Sequence, residues 1–239
     1  MPIGVPRVGY RFRGDEEDCQ WVDLYNSLYN QSVLFLASDL DDELANQLVG
    51  LMTYLTMKNE KKDMFLYINS LGGAIISGFS VYDRMKSIPN RIITCCLGTA
   101  ASMASFILCS GEYGFRLALP HSRVMIHQPA GGTRGQGLTI RFDSHEVEKL
   151  RTKMTILYCQ VTGKHFFEIQ EDMKRDKFMR AREATEYGII DLQVGELKEV
   201  TELQAISDKK EFPREEPQYN FANLQISDGS RELQKAGKL

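Results

Sequence analysis

Ser102 stands at a junction where a serine can do chemistry. The run Cys95-Cys96-Leu97-Gly98-Thr99-Ala100-Ala101-Ser102-Met103-Ala104-Ser105-Phe106-Ile107-Leu108 reads as a buried strand passing into an apolar helix, with Ser102 where one becomes the other. The first turn of such a helix carries unpaired N–H groups and a partial positive charge, so an oxyanion forming beside Ser102 finds donors in place. Further along, Val124-Met125-Ile126-His127-Gln128-Pro129 ends an apolar strand in a histidine, followed by Ala130-Gly131-Gly132. A serine at a helix entrance and a histidine at a strand exit are the material for nucleophilic acyl transfer. The plainer readings are a helix N-cap for the serine and a satisfied core residue for the histidine. Of the four histidines, His145 and His165 sit among polar neighbours and His121 follows a proline in a turn. His127 alone joins apolar flanks to a loop exit.

The elements around these residues must position them. Met64-Phe65-Leu66-Tyr67-Ile68-Asn69-Ser70 is a compact strand; Leu71-Gly72-Gly73 follows, then a helical pattern from about residue 75 to 88. A Gly-Gly pair between strand and helix allows close backbone approach and can present bare amides. It is no phosphate loop, since neither G-x-x-x-x-G-K-[ST] nor G-x-G-x-x-G occurs there. Ser102 lies between Ala100 and Ala104, so the G-x-S-x-G elbow is absent as well. Val33-Leu34-Phe35-Leu36 is a short strand, and Asp41 or Asp42 opens a helix with Leu44, Leu48, Leu51, Met52 and Leu55 at helical spacing. Strands near 91–97, 115–118 and 123–127 and a helix over 102–110 continue the alternation, which predicts a layered α/β fold.

Four motifs in order carry a family resemblance. They are Asn69-Ser70-Leu71-Gly72-Gly73, Ala100-Ala101-Ser102-Met103-Ala104-Ser105, Arg123-Val124-Met125-Ile126-His127-Gln128-Pro129 and Asp172-Met173-Lys174-Arg175-Asp176-Lys177-Phe178-Met179. With the ending Ala181-Arg182-Glu183-Ala184-Thr185-Glu186-Tyr187-Gly188-Ile189-Ile190-Asp191, the chain from Trp21 to Val194 resembles the ClpP family, serine peptidases of the ATP-dependent Clp protease. The opening Met1-Pro2-Ile3-Gly4-Val5-Pro6 looks like the plastid-encoded branch, which implies the chloroplast stroma.

The resemblance implies Ser102 as nucleophile, His127 as general base and Asp176 as the carboxylate that orients the imidazole. The residues alone leave Glu171, Asp172 and Asp176 open for that last role. The resemblance also implies an oxyanion hole from the amides of Gly73 and Met103, no metal or cofactor, and the ClpP/crotonase-type fold of repeated ββα units. Its implied partners are other ClpP-type subunits in two stacked heptameric rings, inactive paralogues among them in mixed rings, with an AAA+ Clp ATPase and unfolded polypeptide substrates. Leu71 replaces the family's usual proline and Ala104 its usual glycine; neither change touches a reacting group. Two rival readings are a structural ring subunit without activity and a crotonase-like acyl-CoA enzyme. The joint presence of Ser102 and His127 speaks against both.

Composition sets bounds. The 239 residues are 43% hydrophobic and 26% charged, which suits one globular domain with a core. A net charge of −3 gives no electrostatic pull towards nucleic acid or anionic lipid, and no apolar run reaches membrane-spanning length. Arg7, Arg11 and Arg13 are soon followed by Asp15, Glu16, Glu17 and Asp18, unlike a signal or transit peptide. Five cysteines without a C-x-x-C support neither a disulfide framework nor a zinc site.

The expected organisation has three parts. Residues 1–20 form an N-terminal segment, read as an axial pore loop. Residues 21–195 form the peptidase domain, and 196–239 a charged C-terminal extension, too poor in apolar residues to order itself. Within the domain, residues 131–162 form the handle that the resemblance implies, a projecting helix packed against the facing ring. Val147, Leu150, Met154, Leu157 and Val161 recur at a and d spacing along it. The preceding Gly131-Gly132-Thr133-Arg134-Gly135-Gln136-Gly137 allows an extended substrate to pair alongside as an added strand.

Overall fold

The computed structural model describes residues 4–10 and 20–194. In chain order the elements are β1 (Arg7–Tyr10), β2 (Gln20–Asp23), α1 (Leu24–Asn30), β3 (Val33–Leu36), α2 (Asp42–Lys58), β4 (Met64–Ser70), α3 (Ile75–Ser87) and β5 (Ile92–Ala101). They continue as α4 (Met103–Cys109), β6 (Arg116–Ala118), β7 (Arg123–Ile126), α5 (Gly137–Thr162), α6 (Phe166–Asp172), β8 (Lys177–Arg180), α7 (Ala181–Tyr187) and β9 (Leu192–Gln193). The expected pore loop and C-terminal extension fall mostly or wholly outside the described residues. β1 pairs antiparallel with β2, so strand structure begins ahead of Trp21.

The main sheet runs β3-β4-β5-β6-β9 with parallel pairing throughout. Alternation sorts its residues: Leu34, Leu36, Leu66, Ile68 and Cys96 join a core shared with the helices, while Ile93, Cys95 and Leu117 face the other side with Phe115 and Val194. The helices add their apolar stripes to the first face, as Leu48, Met52 and Leu55 do from α2. α2 starts where Asp41 accepts the Leu44 N–H at 2.8 Å, an N-cap that stops the helix invading the preceding turn.

β5 does more than one strand's work. Its residues 94–96 pair with β6 and its residues 99–101 pair with β7, so the sheet forks along one edge of β5. The pivot lies at Gly98, where a Cβ would meet Asn69 Oδ1 at 2.6 Å; that oxygen accepts the Thr99 N–H at 3.1 Å. Its register with β4 shifts there too, from Ile68↔Cys96 to Ser70↔Ala100. The bend delivers the end of β5 to β7, and β7 pairs on its other edge with antiparallel β8. This branch of the same seven-stranded sheet carries the site.

α5 departs from a uniform seam. Met154 is buried in the chain's own core, and Leu150, Leu157 and Val161 pack against that core. Leu138, Phe142 and Val147 in the first half are exposed instead. The a/d residues from 150 onward therefore serve the chain's own interior, and the exposed apolar side chains of α5 lie N-terminal to them.

Candidate active site

β7 collects the reacting groups by register. On one edge Ala101 of β5 pairs with Met125, so the next residue, Ser102, donates its N–H to the Met125 carbonyl at 2.9 Å. On the other edge Ile126 pairs with Lys177 in antiparallel sense, so His127 and Asp176, one step beyond, come opposite each other. His127 Nε2 lies 2.8 Å from Ser102 Oγ, and His127 Nδ1 lies 3.1 Å from Asp176 Oδ1. Hydroxyl, imidazole and carboxylate stand in line. Such an arrangement can pass the serine proton to Nε2 while the carboxylate holds the ring with its proton on Nδ1.

The structure separates the three candidate acids. Glu171 pairs with Lys174 at 2.5 Å, and Asp172 accepts the Tyr187 hydroxyl at 2.8 Å and pairs with Lys177 at 2.7 Å. Burial alone would push the Asp172 carboxyl up, but the hydrogen bonds from Lys177 and Tyr187 outweigh it and hold the group below its ordinary value. Asp176 is the one that reaches His127. Gln128 helps fix the loop, its N–H donating to the Met173 carbonyl at 2.7 Å. His121 lies in an exposed turn, and His165 caps α6, accepting the Phe167 N–H through Nδ1.

Ser102 is no ordinary N-cap. Its φ of 53° and ψ of −124° lie where residues with a Cβ are strained, and its side chain makes no capping bond to α4. The hydroxyl is turned to His127 instead. Gly72 and Gly73, at φ 100° and 153°, bring the Gly-Gly turn against the serine. A Cβ on Gly72 would sit 2.7 Å from the Ala101 carbonyl, 2.8 Å from Ser102 Cβ and 2.9 Å from Met103 N. Only a bare glycine allows that approach. The turn is anchored on the far side, where the Leu40 N–H donates to the Gly72 carbonyl and the Ala74 N–H to the Leu40 carbonyl, both at 2.8 Å. Among the described residues no acceptor is bonded to the N–H of Gly73 or Met103. The Met103 side chain fills a gap against Gly78 of α3, where a Cβ would come within 2.3 Å of its Cγ. Leu71 is exposed and Ala104 is fully buried.

Among the described residues the cysteines do not compete as nucleophiles. Cys95, Cys96, Cys109 and Cys159 are free and buried. Burial pushes the Cys95 and Cys109 thiols up to about 12 and Cys96 to about 11, so their thiolates are scarce near neutral pH. Among the described residues no cluster of His, Cys, Asp or Glu has the arrangement to hold a metal ion. No described helix is long and apolar enough to cross a membrane. Sequence reasoning passed over Ser105 and Tyr158, which stand directly behind the serine. Their legible signals were only a hydroxyl three residues into the helix and a tyrosine on the core side of α5.

The profile of one family, described as Clp protease, matches residues 14–196. The chain belongs to the Clp protease family. Its relatives include an ATP-dependent Clp protease proteolytic subunit of Oltmannsiellopsis viridis, 54% identical over 191 residues, which cover 80% of this chain and 97% of the relative. The subunit of the same name from Marchantia polymorpha is 54% identical over 193 residues, 80% of this chain and 95% of that one. The one from Staurastrum punctulatum is 53% identical over 202 residues, 84% of this chain and all of its own length. The family match over residues 14–196 spans every element that positions the site. The described residues show the α/β architecture expected of the family, a parallel sheet with helices packed on it.

Proposed function

We propose that this chain is the proteolytic subunit of an ATP-dependent Clp protease, a serine endopeptidase in which Ser102, His127 and Asp176 form the catalytic triad. The observation that carries this reading is the 2.8 Å contact between Ser102 Oγ and His127 Nε2, made by a serine held at positive φ and free of any capping duty. Ser102 attacks the scissile carbonyl while His127 takes its proton and then returns it to the leaving amine. Asp176 holds the ring tautomer and stabilises the imidazolium that forms. The amides of Gly73 and Met103 stabilise the oxyanion, water resolves the acyl-enzyme, and none of these steps calls on a metal or cofactor.

The assembly follows the same reading. Exposed apolar side chains on the first half of α5 suit contact with another subunit, in keeping with a handle in a double-ring chamber of heptamers. An AAA+ Clp ATPase feeds unfolded polypeptide into that chamber, and ATP is spent by the partner. The algal and plant relatives support the plastid as the compartment, with the stroma as the site of action.

A fluorophosphonate probe tests the chemistry. Labelling is expected at Ser102 alone and is lost in Ser102→Ala, whose residual peptidase rate is at most about 10³–10⁴-fold over water. An unlabelled but assembled wild-type chain would mean a structural subunit or an enzyme of another class.

A further inference from the structure

Two buried hydroxyls lie behind the nucleophile, and no step above uses them. Ser105, fully buried on α4, donates from Oγ to the Ser102 carbonyl at 2.7 Å. The same Oγ lies 2.9 Å from the hydroxyl of Tyr158, which is 1% exposed on α5. A carbonyl can only accept, so the Ser105 proton is committed to Ser102 and Tyr158 must be the donor to Ser105. Burial and the neighbouring Cys109 push the Tyr158 phenol well up, against the smaller opposing pull of the Ser105 bond, so its proton stays in place. The order of donation is therefore Tyr158 to Ser105 to the Ser102 carbonyl.

That carbonyl shares a planar peptide with the Met103 N–H. The bond is trans, so the two groups point in opposite directions, and fixing one aims the other. The helix supplies only longer contacts to the same oxygen, 3.1 Å from Ser105 N–H and 3.3 Å from Phe106 N–H. Ser102 needs outside support to stay at positive φ.

We infer that Ser105 and Tyr158 are positioning residues for acyl transfer, holding the Ser102 carbonyl so that the Met103 amide points at the developing oxyanion. This rests on the reading of Ser102 as nucleophile and Met103 as oxyanion donor. It also makes α5 a direct support of the nucleophile.

The test uses the full chain in its assembled form and a short fluorogenic peptide. Tyr158→Phe removes one oxygen and keeps the ring that packs edge-on against Phe106 at 5.6 Å between centroids. The expected result is a kcat lowered about 3- to 10-fold, the worth of one neutral hydrogen bond, with KM within about twofold. A peptide boronate, whose adduct with serine is tetrahedral, should bind more weakly by a similar factor. Ser105→Ala should lose at least as much, and the double variant no more than Ser105→Ala, because the bonds act in series. Should Tyr158→Phe fail to assemble, Ser105→Ala carries the same readouts. The inference is overturned if an assembled variant keeps kcat and boronate affinity within twofold, if kcat falls without a change in boronate affinity, or if the two losses multiply. Failure of both variants to assemble also overturns it, since the hydroxyls would then serve the fold. Absence of fluorophosphonate labelling in the wild type would instead refute the underlying reading of Ser102.

Discussion

Replacing Asp176 by asparagine removes one negative charge from the end of the site and leaves its shape nearly unchanged. In the proposed mechanism the imidazole of His127 carries the serine proton in the transition state, with the Asp176 oxygen 3.1 Å from Nδ1. Two unit charges at that separation attract by about 5 kcal/mol at an effective dielectric near 20 and by about 1.3 kcal/mol in bulk water. The Asp176 side chain is 60% exposed, so solvent screening draws the value towards the lower end, to about 2–3 kcal/mol. That corresponds to a kcat lower by about 30- to 150-fold, and the loss grows if the asparagine amide also favours the wrong ring tautomer. The proposed mechanism gives this charge no part in substrate binding, so KM should stay within about twofold. The assay is steady-state cleavage of a short peptide by the assembled variant, with Asp172→Asn beside it. Asp172 is already engaged by Tyr187 and Lys177, so its variant should keep kcat. A loss below about threefold in Asp176→Asn, or an equal loss in Asp172→Asn, would refute the assignment of the orienting carboxylate.

Gly72→Ala should cost both stability and turnover, because its Cβ meets Ser102 Cβ at 2.8 Å and Met103 N at 2.9 Å at a φ of 100°; a strain of about 1–3 kcal/mol should appear as a lower Tm together with a lower kcat. Met154→Glu buries a charge in the subunit's own core and should lower Tm by many degrees, while Phe142→Glu on the exposed half of α5 should leave Tm alone and weaken subunit association in sedimentation. A folded, fully associated Phe142→Glu variant would count against α5 as an assembly surface. The depressed Asp172 carboxyl makes stability fall with acid: its contribution is whole above the ordinary carboxylate value of about 4 and fades as pH drops through the lower folded value. Asp172→Asn should therefore flatten the acid side of a denaturation profile, and an unchanged slope would discount this pair.

Much was readable without coordinates because it rests on short-range rules. The strand at Met64–Ser70, the helix opened by Asp41 and the long helix over Gly137–Thr162 follow from hydrophobic period and capping chemistry within one segment. The glycine pair announced a close backbone approach, and the flanks of Ser102 and His127 marked them out. What needed the tertiary structure was every relation between segments. Strand register decided which acid meets His127, because the antiparallel pairing of β7 with β8 sets Asp176 opposite the histidine and turns Asp172 towards Tyr187. The bend of β5 at Gly98, and with it the delivery of Ser102 to β7, depends on a contact with Asn69 thirty residues away. The two halves of α5 share one periodic pattern, yet one packs on this subunit's core and the other does not. A period tells which side chains lie on one face of a helix; only the packed chain tells what that face meets.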